Sequence, residues 1–420
     1  MNPSSAEHER TSRGANENAG IWALGNGLVS TTLISFFAQS LGAQSGAISW
    51  IIAAPKLVGV LRWFAPSLLK FGGGYRITSV GPFLLSTVFL LLLPLSSVPG
   101  IWPSPSVAIA AIVVCWCMYH LAEYCGYVVF IAWLMQLVTP EIRGRFFGLR
   151  ERWLTAGNLA GFLFAGILGA ALRNGFEVDL RWIAYPLLAI FGAFAIGFSV
   201  LPLRRIPEPE NDIPPNLSLI EDWKYWSRPR ARWFLLYGTW FSAANGLFST
   251  LLYIYPYRAL DLSLFLPLTM AASMRLGQSI ISRPVGVTID RFGWRSVMIC
   301  GQVLIALGPF LFSFGTVGYV AGNLIWIAYA LINVALPIAI VDGRHDRSAA
   351  PPLALYFAWT GLVYGLTALA GQLVADFFVS TQYRQDSASY DTYFIVATLA
   401  RLSAVLPLVL LPADRKRHTC

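Results

Sequence analysis

Asn26-Gly27-Leu28-Val29-Ser30-Thr31 and Asn245-Gly246-Leu247-Phe248-Ser249-Thr250 agree at five of six positions, 219 residues apart. The same offset carries Lys56 onto Arg275, Gly74 onto Gly293 and Arg76 onto Arg295. A register kept over so long a separation marks an internal duplication. Two copies of about this length account for most of the 420-residue chain.

Composition says what each copy is made of. Apolar residues are 56% of the chain and charged residues 12%, about half the charged share of a soluble protein. So few charges cannot clothe a water-facing surface of this size. Apolar stretches of spanning length follow one another instead, at 20–41, 46–69, 77–98, 106–138, 153–172, 182–203, 232–257, 262–285, 297–315, 319–342, 353–379 and 392–411. Lipid offers no partner to open backbone groups, so these stretches are expected as helices. The expected fold is an all-α membrane protein of twelve transmembrane helices in two six-helix, pseudo-symmetric halves. Parallel repeats of this kind hold a solute near the bilayer midplane, between the halves.

The net charge of +9 does not point to nucleic acid, because the basic residues are scattered between the apolar stretches and form no single patch. Their distribution speaks to topology. Segments on the side of the two termini carry 22 Lys and Arg, and those on the opposite side carry four. This bias places both termini in the cytoplasm and the chain in the cell membrane. The expected divisions are a cytoplasmic N-terminal tail (1–19), a six-helix bundle (20–203), a cytoplasmic linker (204–231), a second bundle (232–411) and a cytoplasmic C-terminal tail (412–420). Within the linker, the run from Ser218 to Trp223 has the character of a short helix.

The loop after the eighth stretch reads Gly286-Val-Thr-Ile-Asp290-Arg291-Phe-Gly293-Trp-Arg295. It resembles the G-x-x-x-D-R-x-G-x-R/K signature of the major facilitator superfamily of transporters. Its chemistry is intelligible: Gly286 would permit close helix approach, Asp290 would accept from a helix N-terminus, and the arginines would face headgroups and helix ends. The equivalent loop of the first half, from Lys70 to Arg76, keeps Gly74 and Arg76 but lacks the acid. Pro140-Glu-Ile-Arg143-Gly144-Arg145-Phe-Phe-Gly148-Leu-Arg150 is similar to another loop motif of the superfamily. The glycines that follow, Gly157 and Gly161, are spaced for close packing of two helices. Phe162 stands where the related motif of drug–proton antiporters has proline, which counts against antiport.

Charged groups inside the bilayer are costly when they face lipid, by at least ~2.5–3.5 kcal/mol each, so they mark cavities or partners. Lys56 and Arg275 lie at equivalent depth in repeat-related helices and together suit one anion between the halves. A cation on helix 2 and another on helix 8 resembles the arrangement in nitrate/nitrite porters of the superfamily. The alternative is that each cation pairs with a carboxylate or carbonyl and serves structure. In the fourth stretch Trp116, His120, Glu123 and Tyr127 share one helical face, which the resemblance turns toward solute because helices 1, 4, 7 and 10 line the cavity in this superfamily. Glu123 is a candidate proton carrier; a structural pair with Lys56 or His120 is the competing reading. Asn26 and Asn245, mid-span, either bond solute or tie helices together. Arg62 and Arg401 receive no role.

No phosphate-binding glycine loop, zinc-binding H-E-x-x-H or G-x-S-x-G elbow occurs, so neither an enzyme nor a cofactor is expected. The reading is a secondary transporter for a small polar solute, with an anion favoured. Lipid bilayer, solute and protons are the expected partners, and the expected working unit is a monomer. A non-transporting receptor on the same fold is the rival.

Overall fold

The computed structural model describes residues 3–64, 73–98, 100–138, 143–175, 183–208, 226–341, 350–380 and 388–411. Among these residues every regular element is a helix. In the first half, α1 runs Pro3–Leu28 and resumes as Thr31–Ser40; α2 is Ser45–Leu57, drawn out by a 3₁₀ turn Val58–Phe64; α3 is Tyr75–Leu92. There follow α4 Pro105–Leu137, α5 Arg143–Gly175 and α6 Ala184–Phe198. In the second half, α7 runs Pro229–Leu247 and Ser249–Arg258, α8 is Phe265–Phe292 and α9 is Trp294–Phe312. The chain closes with α10 (Gly315–Ile325 and Tyr329–Val341), α11 (Ala350–Ser380) and α12 (Ala388–Leu402 and Val405–Val409). Among the described residues, nine helices are long and apolar enough to cross a membrane, and Ser45–Leu61 is a shorter apolar helix. The stretches of α7 and α8 are helical as expected, but more polar.

The repeat read from the sequence is a repeat of packing. α1 lies on α5 and α6, as α7 lies on α11 and α12. α3 pairs with α4 and α6, as α9 pairs with α10 and α12. The matching hexapeptides sit at matching faults: α1 breaks at Val29–Ser30 and α7 at Phe248. Ser30 caps the resumed helix by accepting from the Leu33 amide at 3.2 Å, which supplies one of the donors a helix start leaves open. The glycine of each hexapeptide is where its helix meets a neighbour. A Cβ on Gly27 would stand 2.8 Å from Asn158 O and the Gly161 Cα on α5, and one on Gly246 would meet Thr367 and the Tyr364 carbonyl on α11.

The loops entering α3 and α9 also correspond. Gly74 (φ +133°) and Gly293 (φ +77°) both adopt backbone angles that side chains disfavour. Two residues on, Arg76 donates to the carbonyl of Ile206 beyond α6 at 2.9 Å. Arg295 donates to the carbonyls of Leu408, at 3.0 Å, and Val409 at the end of α12. Each arginine thus satisfies carbonyls left open at a helix C-terminus, where positive charge is also favoured.

One expected boundary looks different in three dimensions. The stretch 1–19 is helical from Pro3 and continuous with α1. Ala15, Asn18 and Ala19 are buried, and Asn18 donates to Ser199 O at 2.8 Å. Glu17 pairs with both Arg13 and Arg205. The polar residues of this stretch therefore dress a helix that packs on the end of α6. The linker run from Ser218 to Trp223, the C-terminal tail 412–420 and Lys70 lie outside the described residues.

Candidate functional site

Between the halves is a cavity of about 560 Å³, within the size range of sites for small ligands. Lys56 from α2 and Arg275 from α8 both line it. Asn245, Tyr329 and Tyr364 line it too, from α7, α10 and α11. Both cations stand exposed to this space, and Lys56 feels the charge of Arg275. Lys56 Nζ sits 5.3 Å from the centre of the Tyr364 ring. Among the described residues no Asp or Glu lines the cavity, and neither cation has a carboxylate oxygen within 4.0 Å. The expected convergence of Lys56 and Arg275 on one space is therefore present, and the carboxylate partner of the alternative reading is not seen among the described residues.

A third cation is here. Arg401 of α12 lines the same cavity, although it is only 3% exposed. Its guanidinium lies 5.5 Å from the centre of the Trp326 ring, and its Nε and Nη1 are buried without a hydrogen-bond partner. The sequence flagged Arg401 as an intramembrane charge and went no further. Its helix is outside the set that the resemblance puts around the cavity.

Glu123 is elsewhere. With Asn26, Tyr119 and His120 it forms a buried polar cluster where α4 packs on α1. The Tyr119 hydroxyl is 2.6 Å from Glu123 Oε1 and 2.9 Å from Asn26 Oδ1. Asn26 Nδ2 donates to the same carboxylate oxygen at 3.2 Å and to Trp22 O at 3.1 Å. His120 Nδ1 is 3.4 Å from Glu123 Oε2, and His120 Nε2 is buried with no partner. Trp116 is tied to α2 through its indole donor, 2.8 Å from Ile51 O. Tyr127 stacks on Trp22 with ring centres 5.8 Å apart. The face read from the spacing faces inward, but none of Asn26, His120, Glu123 and Tyr127 lines the cavity of Lys56 and Arg275. Of the two candidate structural pairs, His120 is Glu123's neighbour and Lys56 is not. Tyr119 went unread, although its spacing to Glu123 is one helical turn.

The two asparagines are bonded alike. Asn245 Nδ2 donates back to Phe241 O at 2.9 Å, as Asn26 does to Trp22 O, and Asn245 Oδ1 accepts from Tyr329 at 3.4 Å, as Asn26 Oδ1 does from Tyr119. One copy borders the cavity while the other is closed over by Glu123.

Among the signature residues, Asp290 and Arg291 are exposed, and Asp290 has no hydrogen bond among the described residues. Among the described residues no atom lies within 4 Å of where a Gly286 Cβ would stand. Arg143 and Gly144 begin α5, but their side-chain surroundings lie outside the described residues.

Hydrogen bonds join the halves at the face opposite the termini. Ser49 and Thr250 meet there, Gln39 donates to Tyr253 O, Ser45 bonds Asp376, and Arg258 donates to Ala43 O. In the other direction a second hollow of about 280 Å³, lined by Lys56, Gly59, Phe357 and Gly361, continues the space toward the terminal face.

A sequence model described as Major Facilitator Superfamily matches residues 19–341. Solved structures share the fold at low identity. The nucleoside transporter NupG superposes with a TM-score of 0.65 at 14% identity, covering 96% of this chain and 98% of that one. A D-xylose-proton symporter gives 0.69 at 14% identity, over 98% and 99% of the two chains. A bacterial homologue of the human lysosomal transporter Spinster, inward-facing and unoccupied, gives 0.60 at 13% identity, over 98% and 96%. No curated protein matches the chain.

Proposed function

Since the chain belongs to the Major Facilitator Superfamily, we propose that it is a secondary transporter that moves a small polar anion by alternating access. The observation that carries the anion is the cavity between the halves, where Lys56 and Arg275 stand exposed and, among the described residues, no carboxylate lines the wall. Two cations of like sign in one low-dielectric space repel each other, and an anion between them removes that repulsion.

Proton coupling belongs to the same proposal, through Glu123. A hydroxyl carries one proton, so Tyr119 cannot donate to Asn26 Oδ1 and to charged Glu123 at once. A proton on Glu123 lets the carboxyl donate to Tyr119 and Tyr119 donate to Asn26, and every acceptor in the chain is then served. The cluster thus has a satisfied state with one more proton than its charged form. The symport of D-xylose with protons by one structural neighbour supports this reading by analogy only.

On the reading that both termini are cytoplasmic, the arrangement corresponds to an inward-facing state: bonded on the outer face, with the second hollow running toward the cytoplasm. The cell membrane is the proposed location and a single chain the proposed working unit.

The test is binding and uptake of anions by purified protein in vesicles. Each charge-assisted hydrogen bond contributes about 1.5–3 kcal/mol, so Lys56→Ala and Arg275→Ala should each weaken binding roughly 10- to 150-fold. Arg275→Lys should recover part, because ammonium lacks the planar fork of guanidinium. Folded alanine variants with unchanged affinity would sink the anion reading. A receptor on this fold would bind without carrying label into the vesicle.

A further inference from the structure

We infer that Arg401 is a third anion-binding residue of the central cavity and that the solute is an organic dianion. This rests on the reading of that cavity as the solute site.

Arg401 is a cation with nowhere to place its charge. It is 3% exposed, and two of its guanidinium nitrogens have no hydrogen-bond partner. Among the described residues no carboxylate oxygen lies within 4.0 Å of it. The helices against α12 are α7, α9 and α11. The described lengths of α7 and α9 contain no acid, and the acid of α11, Asp376, is bonded to Ser45 at the far face. Asp391 of α12 itself lies ten residues away, about 15 Å along the helix. A lysine in such a place could shed its proton, but arginine stays charged at any accessible pH. The charge therefore needs an anion from outside the protein, and the side that offers one is the cavity.

The guanidinium is also held in place. Trp326, whose ring lies under it, is fixed by its indole donor to Ile305 O at 3.0 Å. The Arg401 backbone carbonyl accepts from Gln302 at 2.8 Å, and Gln302 in turn accepts from Tyr237 at 2.9 Å. A guanidinium fixed against an aromatic face at the cavity wall, its Nε and Nη1 buried and unpaired, suits a carboxylate or another planar oxyanion that comes up to that wall.

Counting the charges gives the class of solute. Lys56 and Arg275 come from α2 and α8 and Arg401 from α12, and among the described residues the cavity wall has no acid. A monoanion leaves two cations uncompensated in a space of low dielectric. A dianion can meet Arg401 with one end and the Lys56–Arg275 pair with the other. Aromatic rings line the same space beside the cations, Trp326 near Arg401 and Tyr364 near Lys56.

The experiment measures binding of benzoate and of benzene-1,4-dicarboxylate to the purified full-length chain, with succinate as a flexible dianion, by calorimetry and by thermal stabilisation. Wild type should bind the dicarboxylates at least about tenfold more tightly than benzoate. Arg401→Gln should erase that advantage. Arg401→Lys should keep part of it, and carries the test if the glutamine variant fails to fold. Lys56→Ala and Arg275→Ala should weaken both classes. An advantage that survives in Arg401→Gln, or its absence in wild type, overturns the dianion while sensitivity to Lys56 and Arg275 preserves the cavity reading. Binding indifferent to all three residues removes the cavity reading as well.

Discussion

The Ser49 and Thr250 hydroxyls meet at 2.8 Å across the boundary between the halves. Thr250 ends one of the two hexapeptides that betray the duplication, and Ser49 is on the helix that carries Lys56. The bond is buried and lies among the contacts that hold the far face shut. Breaking it costs only about 0.5–1.5 kcal/mol, which suits a closure that has to open during each cycle.

Ser45 and Asp376 are bonded in the same closure. Cysteines at these two positions, in a background without other cysteines, should be joined by a short thiol-specific cross-linker. Uptake into vesicles should stop and return when the link is cleaved. Full uptake by fully cross-linked protein would show that this face stays closed during transport.

Glu123→Gln should abolish accumulation driven by a pH gradient and spare counterflow exchange, since exchange moves no net proton. The same variant keeps an acceptor for Asn26 Nδ2 and for Tyr119, so folding should survive. Accumulation that persists in vesicles with a pH gradient would take Glu123 out of the mechanism.

Gly27→Ala puts a methyl group against the α5 backbone, 2.8 Å from two of its atoms. Overpacking of this sort costs about 1–3 kcal/mol, to be seen as a lower melting temperature in detergent. Gly286→Ala meets open space and should not lower it. A transport defect in Gly286→Ala with normal melting would locate close helix approach in the opposite conformation.

Arg295→Gln removes charged donors from the carbonyls of Leu408 and Val409, and Arg76→Gln one from Ile206. Each should destabilise by about 1.5–3 kcal/mol per lost bond. Thermal melting of the two variants should therefore fall, with the larger drop for Arg295. Equal melting to wild type would mean that water serves those carbonyls as well as arginine does.

Labelling of Asn216→Cys by an impermeant thiol reagent should be weak in intact cells and strong in broken ones, as the distribution of basic residues requires. Strong labelling from outside would invert the topology and make the observed state outward-facing.

The duplicated hexapeptides, the spacing of apolar stretches and the Gly286–Arg295 motif made the fold legible before any coordinates, because helix formation in lipid is dictated locally by backbone satisfaction. Lys56 and Arg275 were legible for the same reason, since a charge inside an apolar stretch stands out by itself. Whether charges meet is decided by helix rotation and by packing between distant segments. The chain alone therefore did not separate Glu123 from Lys56, join it to Tyr119 and Asn26, or turn Arg401 from an outer helix into the cavity. The asparagines make the point most directly: Asn26 and Asn245 occupy identical places in the repeat and make the same bond to their own helix. Only the side chains that other helices bring against them leave Asn245 at the cavity and Asn26 under Glu123.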